Sequence, residues 1–138
     1  MKKQLSIAFT ALVLAACGGG SSDNNLNNNI TGKWDGSFAG FTSSTTINGN
    51  VTMTLAQQSQ VFKTEPNVYG VYSSSSGSTG SVIGFFDGSS FRGSLTPSSA
   101  AICPADIVLL FSYNSLKGTA ITYNCAQSAS AQGAFSKQ

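Results

Sequence analysis

The chain has 138 residues, of which 41% are hydrophobic, 10% aromatic and 9% charged, with a formal net charge of +2 at pH 7. Low charge beside that much apolar content excludes a disordered polyelectrolyte tail. Lys2 and Lys3 stand in a segment read below as removed. The remainder balances five bases against five acids, which argues against nucleic-acid binding.

Met1 to Cys17 reads MKKQLSIAFTALVLAAC. Two lysines, an apolar run from Leu5 to Ala16 broken only by Ser6 and Thr10, and small residues before a cysteine form the layout of a secretory signal. A run of about a dozen residues is too short to span a hydrocarbon core, which needs roughly 20 in a helix. The ending Leu14-Ala15-Ala16-Cys17 resembles the lipobox of bacterial lipoproteins. That resemblance implies cleavage before Cys17, diacylation of its sulfur, and acylation (as by palmitate) of the new amino terminus. Residues 1–16 are thus expected to be a lipoprotein signal peptide, and Cys17 a lipidation site rather than a nucleophile. Two or more acyl chains, each contributing about 0.8 kcal/mol per buried methylene, anchor a protein stably. Gly18 replaces the aspartate that the family associates with inner-membrane retention, so the resemblance implies an anchor in the outer membrane.

Residues 17–29 continue as a Gly/Ser/Asn tether: Gly18 to Asn29 reads GGGSSDNNLNNN, with one apolar side chain. Such a segment buries too little apolar surface to offset its ordering entropy. As a flexible coil it would span on the order of 20 Å. Residues 30–138 then form one domain, large enough for a single core.

Within this domain, strand signals run through Thr31 to Gly40, Thr46 to Gln57, and Val61 to Lys63 with a continuation at Val68 to Ser73. They resume at Ser81 to Phe86, Phe91 to Thr96, Asp106 to Tyr113, Leu116 to Asn124 and Ala131 to Lys137. Turn-formers separate them: Asn48-Gly49-Asn50, which alternatively bends a strand, then Ser73 to Gly80, Asp87-Gly88 and Asn114-Ser115. No stretch offers the helical crossover that a parallel sheet requires. The expected fold is all-β, a single antiparallel barrel of about eight strands.

Six segments place apolar residues two positions either side of a glycine. They are Trp34-Gly36-Phe38, Val68-Gly70-Tyr72, Val82-Gly84-Phe86, Phe91-Gly93-Leu95, Leu116-Gly118-Ala120 and Ala131-Gly133-Phe135. Residues two apart share one face of a strand, so these glycines are expected on the inward face, where they permit sharp coiling and barrel closure.

Gly32-Lys33-Trp34 resembles the Gly-x-Trp signature of the lipocalin and avidin superfamily, and the whole of residues 30–138 resembles small bacterial lipoproteins with a lipocalin-like barrel. In those folds the tryptophan closes one end of the barrel, and a basic residue from the last strand packs across it. The resemblance implies that Trp34 and Lys137 form such a pair, worth about 0.5–2 kcal/mol as a cation-π contact. Avidin's biotin-contacting residues have no counterpart here, so biotin binding is not implied.

With Cys17 assigned to lipidation, Cys103 and Cys125 remain as a pair in an oxidising compartment, equidistant from Asn114, and are expected to form a disulfide. A metal site is the rival, but two thiols with no histidine fall short of a tetrahedral zinc set. The hairpin register stays open. A two-residue turn at Asn114-Ser115 pairs Phe111 with Gly118, whereas a three-residue turn centred on Asn114 pairs the cysteines directly and sets Gly118 opposite Leu110.

No catalytic site emerges. Histidine is absent, and Asp35, Glu65, Asp87 and Asp106 are scattered over separate segments. No Ser-x-x-Lys or Gly-x-Ser-x-Gly motif occurs, and neither cofactor nor metal is expected. The reading is a membrane-anchored envelope lipoprotein that binds rather than catalyses. Two modes stay open. One is a small hydrophobic ligand inside the barrel; the other is a filled barrel that recognises an envelope protein. Trp34, Phe38, Met53, Leu55, Tyr72, Phe86, Phe91, Leu95, Leu109 and Phe111 form the expected inward set. Ile83, Phe85, Val108 and Leu110 would then point outward as an interaction patch, unless a loop such as Pro97 to Pro104 covers them.

Overall fold

A computed structural model describes residues 28–138. The expected signal segment, tether and lipidation at Cys17 fall on residues outside those described. Eight strands follow one another: β1 (Gly32–Ala39), β2 (Asn50–Gln57), β3 (Val68–Ser74), β4 (Thr79–Phe86), β5 (Ser90–Pro97), β6 (Ala105–Ser112), β7 (Ser115–Thr122) and β8 (Ser130–Lys137). Each pairs antiparallel with its sequence neighbours, and β1 also pairs with β8, so the sheet closes into an up-and-down barrel. No helix occurs among the described residues. This architecture is compatible with the lipocalin-like fold.

Alternation along the strands drives the closure. On β2, Val51, Met53 and Leu55 point inward and are buried; on β6, Ala105, Ile107 and Leu109 do the same. Closure leaves no open sheet edge for another chain to pair with. At the same time the inward apolar residues merge into one core cluster, from Trp34 and Phe91 to Phe135 and Leu116.

The inward glycines sit where backbone meets backbone. Gly118 pairs with Leu109 on one side and Gly133 on the other. A Cβ on Gly118 would collide with the carbonyl oxygen of Val108 and lie 2.9 Å from the Cα of Leu109. Across the barrel Gly84 pairs with Gly93, and a side chain on either would strike the Phe91 ring. Glycine therefore lets the wall coil tightly around large aromatics.

Four expectations about the strands are corrected. Val61 to Lys63 is no strand but part of the loop joining β2 to β3, closed by a turn in which Glu65 N donates to the Phe62 carbonyl at 3.0 Å. Gln60 Nε2 also donates to the Glu65 carbonyl, at 2.6 Å. Thr46 to Gly49 likewise lies outside β2: Thr46 N bonds to the Ser43 carbonyl at 3.1 Å, and Gly49 turns the chain with φ of 82°. Neither proposed register of the β6–β7 hairpin holds. The two-residue turn is Tyr113-Asn114, with Ser112 opposite Ser115, Leu109 opposite Gly118, and Tyr113 at φ of 57°. The β7 segment also stops at Thr122, because Asn124 adopts φ of 52° and leaves the ladder.

The two ends of the barrel differ. At the Trp34 end lie the entering chain from Asn28, the 58–67 loop, and the turns at 87–89 and 113–114. At the disulfide end lie the 40–49, 75–78, 98–104 and 123–129 connections.

Candidate functional site

The barrel interior is occupied by its own side chains. Trp34, Met53, Phe91, Leu95, Leu109 and Phe135 are buried together. Trp34 meets Phe111 edge-on with ring centroids 6.1 Å apart, and Phe111 meets Phe86 at 5.2 Å, so three aromatics stack across the Trp34 end. At the opposite end the 40–49 loop folds Phe41 and Ile47 inward, with Phe41 5.7 Å from Phe38. The polar groups inside are satisfied. Tyr72 Oη bonds Ser78 Oγ at 2.9 Å, and burial pushes the phenol's pKa up, although that bond partly offsets it. Asn67 grips the β4 end, donating to the Phe86 carbonyl at 2.9 Å and accepting from Phe86 N at 2.7 Å.

Trp34 and Lys137 are registered partners on β1 and β8, with Nζ 5.6 Å from the indole centroid. The indole Nε1 donates to the Ile30 carbonyl at 2.9 Å, and Lys137 Nζ donates to the Asn29 carbonyl at 3.2 Å. Gly32 leaves room for the lysine stem: a Cβ there would lie 2.8 Å from Lys137 Cε.

Cys103 and Cys125 form a disulfide, with Cα atoms 5.8 Å apart. It lies beyond the end of the β6–β7 ladder, whose last backbone bond runs from Tyr123 N to the Pro104 carbonyl at 3.0 Å. The left-handed turn at Asn124 brings the two sulfurs together although their residues are not ladder partners. Cys103 N also donates to the Thr45 carbonyl at 2.7 Å, tying this corner to the 40–49 loop. A cleft of about 440 Å³ opens here, lined by Ser43, Thr45, Ile102, Cys103, Cys125 and other uncharged residues.

The four patch residues all lie on the outer wall and are exposed: Ile83 44%, Phe85 40%, Val108 44% and Leu110 64%. The loop from Pro97 to Pro104 does not cover them; it packs at the disulfide end. The patch is not continuous, because β5 runs between β4 and β6 and sets Arg92 between Phe85 and Val108. Ser94 likewise separates Ile83 from Asp106, whose carboxylate accepts from Ser94 Oγ at 2.6 Å. The result is a groove of about 590 Å³ over β4, β5 and β6, walled by Ile83 and Phe85 on one side and Val108 on the other. Arg92 and Asp106 stand along it as opposite charges. Both occupy outward strand positions, but the sequence alone does not set them beside the apolar patch.

At the 87–89 turn, Asp87 accepts from the backbone N–H of Ser89 and of Ser90, each at 2.8 Å, and from both serine hydroxyls. Those bonds, the Ser89 amide foremost, hold its carboxyl well below the usual carboxylate range. This is a turn cap on an exposed residue, not an acid-base pair. Among the described residues no three His, Cys, Asp or Glu side chains gather as a metal set. Compared with known protein families, curated proteins and solved structures, the chain matches none.

Proposed function

We propose that this chain is an envelope lipoprotein, anchored through Cys17, whose lipocalin-like barrel binds a partner protein on its outer wall and performs no catalysis. One observation carries the reading: side chains fill the interior and plug both ends, while apolar residues stand exposed around a groove on the wall. An eight-stranded barrel is just wide enough to be filled. Exposed apolar surface beside a few oriented charges is the usual make-up of a protein-recognition patch. Arg92 and Asp106 would set the register of the partner, and Ile83, Phe85, Val108 and Leu110 would supply the apolar contact. The outer-membrane location comes from the lipobox resemblance and from Gly18.

A second reading, a small hydrophobic ligand, is favoured by the mainly apolar lining of the same groove. Photocrosslinking in the native envelope separates the two. A photoreactive residue at position 110 should give a discrete protein adduct, while one at Ala134, exposed on β8, should give none. The adduct should vanish on adding Arg92→Glu. Equal labelling at both positions, or none at position 110, would contradict the proposal.

A further inference from the structure

We infer that the Trp34 end of the barrel faces the bilayer, with Val61, Phe62 and Tyr113 seated among the headgroups of an anionic membrane. This orientation rests on the tethering reading above. Three features support it.

The chain enters at this end. Asn28 lies beside the 87–89 turn, its Nδ2 3.9 Å from where a Cβ on Gly88 would stand, and Ile30 N donates to Gln57 Oε1 at 3.1 Å. Only residues 18–27 separate Cys17 from Asn28. A flexible chain of ten residues averages on the order of 18 Å end to end. An eight-residue strand rises roughly 27 Å. A lipid on Cys17 therefore holds the Trp34 end nearer the bilayer than the disulfide end.

Charge is segregated along the barrel axis. Every base of the described chain, Lys33, Lys63, Arg92, Lys117 and Lys137, lies in the half at the Trp34 end, with the acids Asp35, Glu65 and Asp87. In the other half Asp106 stands alone, and the 40–49, 75–78, 98–104 and 123–129 connections carry no charge. The Trp34 end is thus net positive and the disulfide end slightly negative, the polarity that an anionic surface would orient.

Apolar side chains cap the positive end. Val61 and Phe62, on the 58–67 loop next to Lys63, are 78% and 61% exposed, and Tyr113 on its turn is 77% exposed. No packing need in the barrel explains them: the loop leaves them outside the core while Pro66 and Asn67 return the chain to β3. Tyrosine and phenylalanine beside lysines suit a headgroup layer, where one end is wet and the other apolar.

The test uses the lipid-anchored chain, extracted from membranes and reconstituted into vesicles of phosphatidylglycerol and phosphatidylethanolamine with brominated acyl chains. Phe62→Trp and Gln127→Trp report the two ends, and the unmodified chain, whose Trp34 is buried, supplies the blank. The orientation predicts loss of emission at Phe62→Trp, no loss at Gln127→Trp, and a smaller loss on adding Lys63→Glu or in zwitterionic vesicles. Equal loss at both ends, loss at neither, or indifference to vesicle charge would overturn it. The mass of the Cys17 peptide reads the anchor separately. If that peptide carries no acyl chain, the tethering reading fails; loss at Phe62→Trp when the unacylated chain is mixed with the same vesicles then still sustains the orientation, and no loss overturns it.

Discussion

Lys137 lies over the Trp34 indole because Gly32, two residues before the tryptophan, has no side chain to occupy the space that the lysine stem crosses. Gly-x-Trp at the start of the barrel and lysine at its end are thus one arrangement. Lys137→Met, which keeps the stem and removes the charge, should lower stability by about 0.5–1 kcal/mol. Trp34→Ala, which empties a fully buried site, should cost about 3–5 kcal/mol. Urea denaturation of each variant checks both, and equal costs would contradict the packing described.

The disulfide joins residues 22 positions apart in sequence. In the chain-entropy view it contributes about 3 kcal/mol. Cys103→Ala with Cys125→Ala should lower the thermal midpoint while leaving the far-UV spectrum of a β-barrel. Because the bridge also braces the 40–49 loop through Cys103, amide exchange should rise there before it rises in the strands.

Gly118→Ala should cost about 1–3 kcal/mol, since its Cβ would push into the backbone of β6. Gly77 is a contrast: a Cβ there meets nothing within 4 Å, but its φ of 98° disfavours any side chain. Its alanine variant should cost about 1–2 kcal/mol, from conformation alone. Crystal structures of the two variants distinguish them: the first should show displaced strands, the second an altered turn.

Asp87 titrates lower folded than unfolded. Its contribution to stability is therefore present above the ordinary carboxylate pKa of about 4 and lost as the pH falls below it. The stability difference between the parent and Asp87→Asn should hold steady from neutral pH to about 5 and shrink below about 4. Tyr72 has the opposite sign. Its folded pKa is raised, so its contribution is complete below about 10 and lost as the pH climbs past that value, a loss that Tyr72→Phe should lack.

Much of this barrel is legible in its residues, because inward positions repeat every second residue and each strand announces its face. The flanked glycines at 36, 70, 84, 93, 118 and 133 marked the tight wall. Where structure and sequence pattern differ, local and tertiary preferences disagree. Asn114-Ser115 looks the better turn, and a two-residue shift would keep the same inward faces, so alternation alone does not choose between the registers; the chain turns at Tyr113-Asn114, with Tyr113 in a left-handed backbone. Val61 to Lys63 has the composition of a strand yet finds no neighbour to pair with. The outward patch could be named from alternation, but not the interposed Arg92 and Asp106, since strand order around the barrel decides which side chains share a groove.

The most direct test of the account is native mass spectrometry of residues 28–138, secreted into an oxidising compartment, set beside the denatured mass. A filled barrel that binds proteins on its outer wall predicts the bare polypeptide mass, less two hydrogens for the disulfide, in both spectra. A stoichiometric small-molecule excess that survives purification and disappears on denaturation would contradict it and make the barrel a ligand carrier.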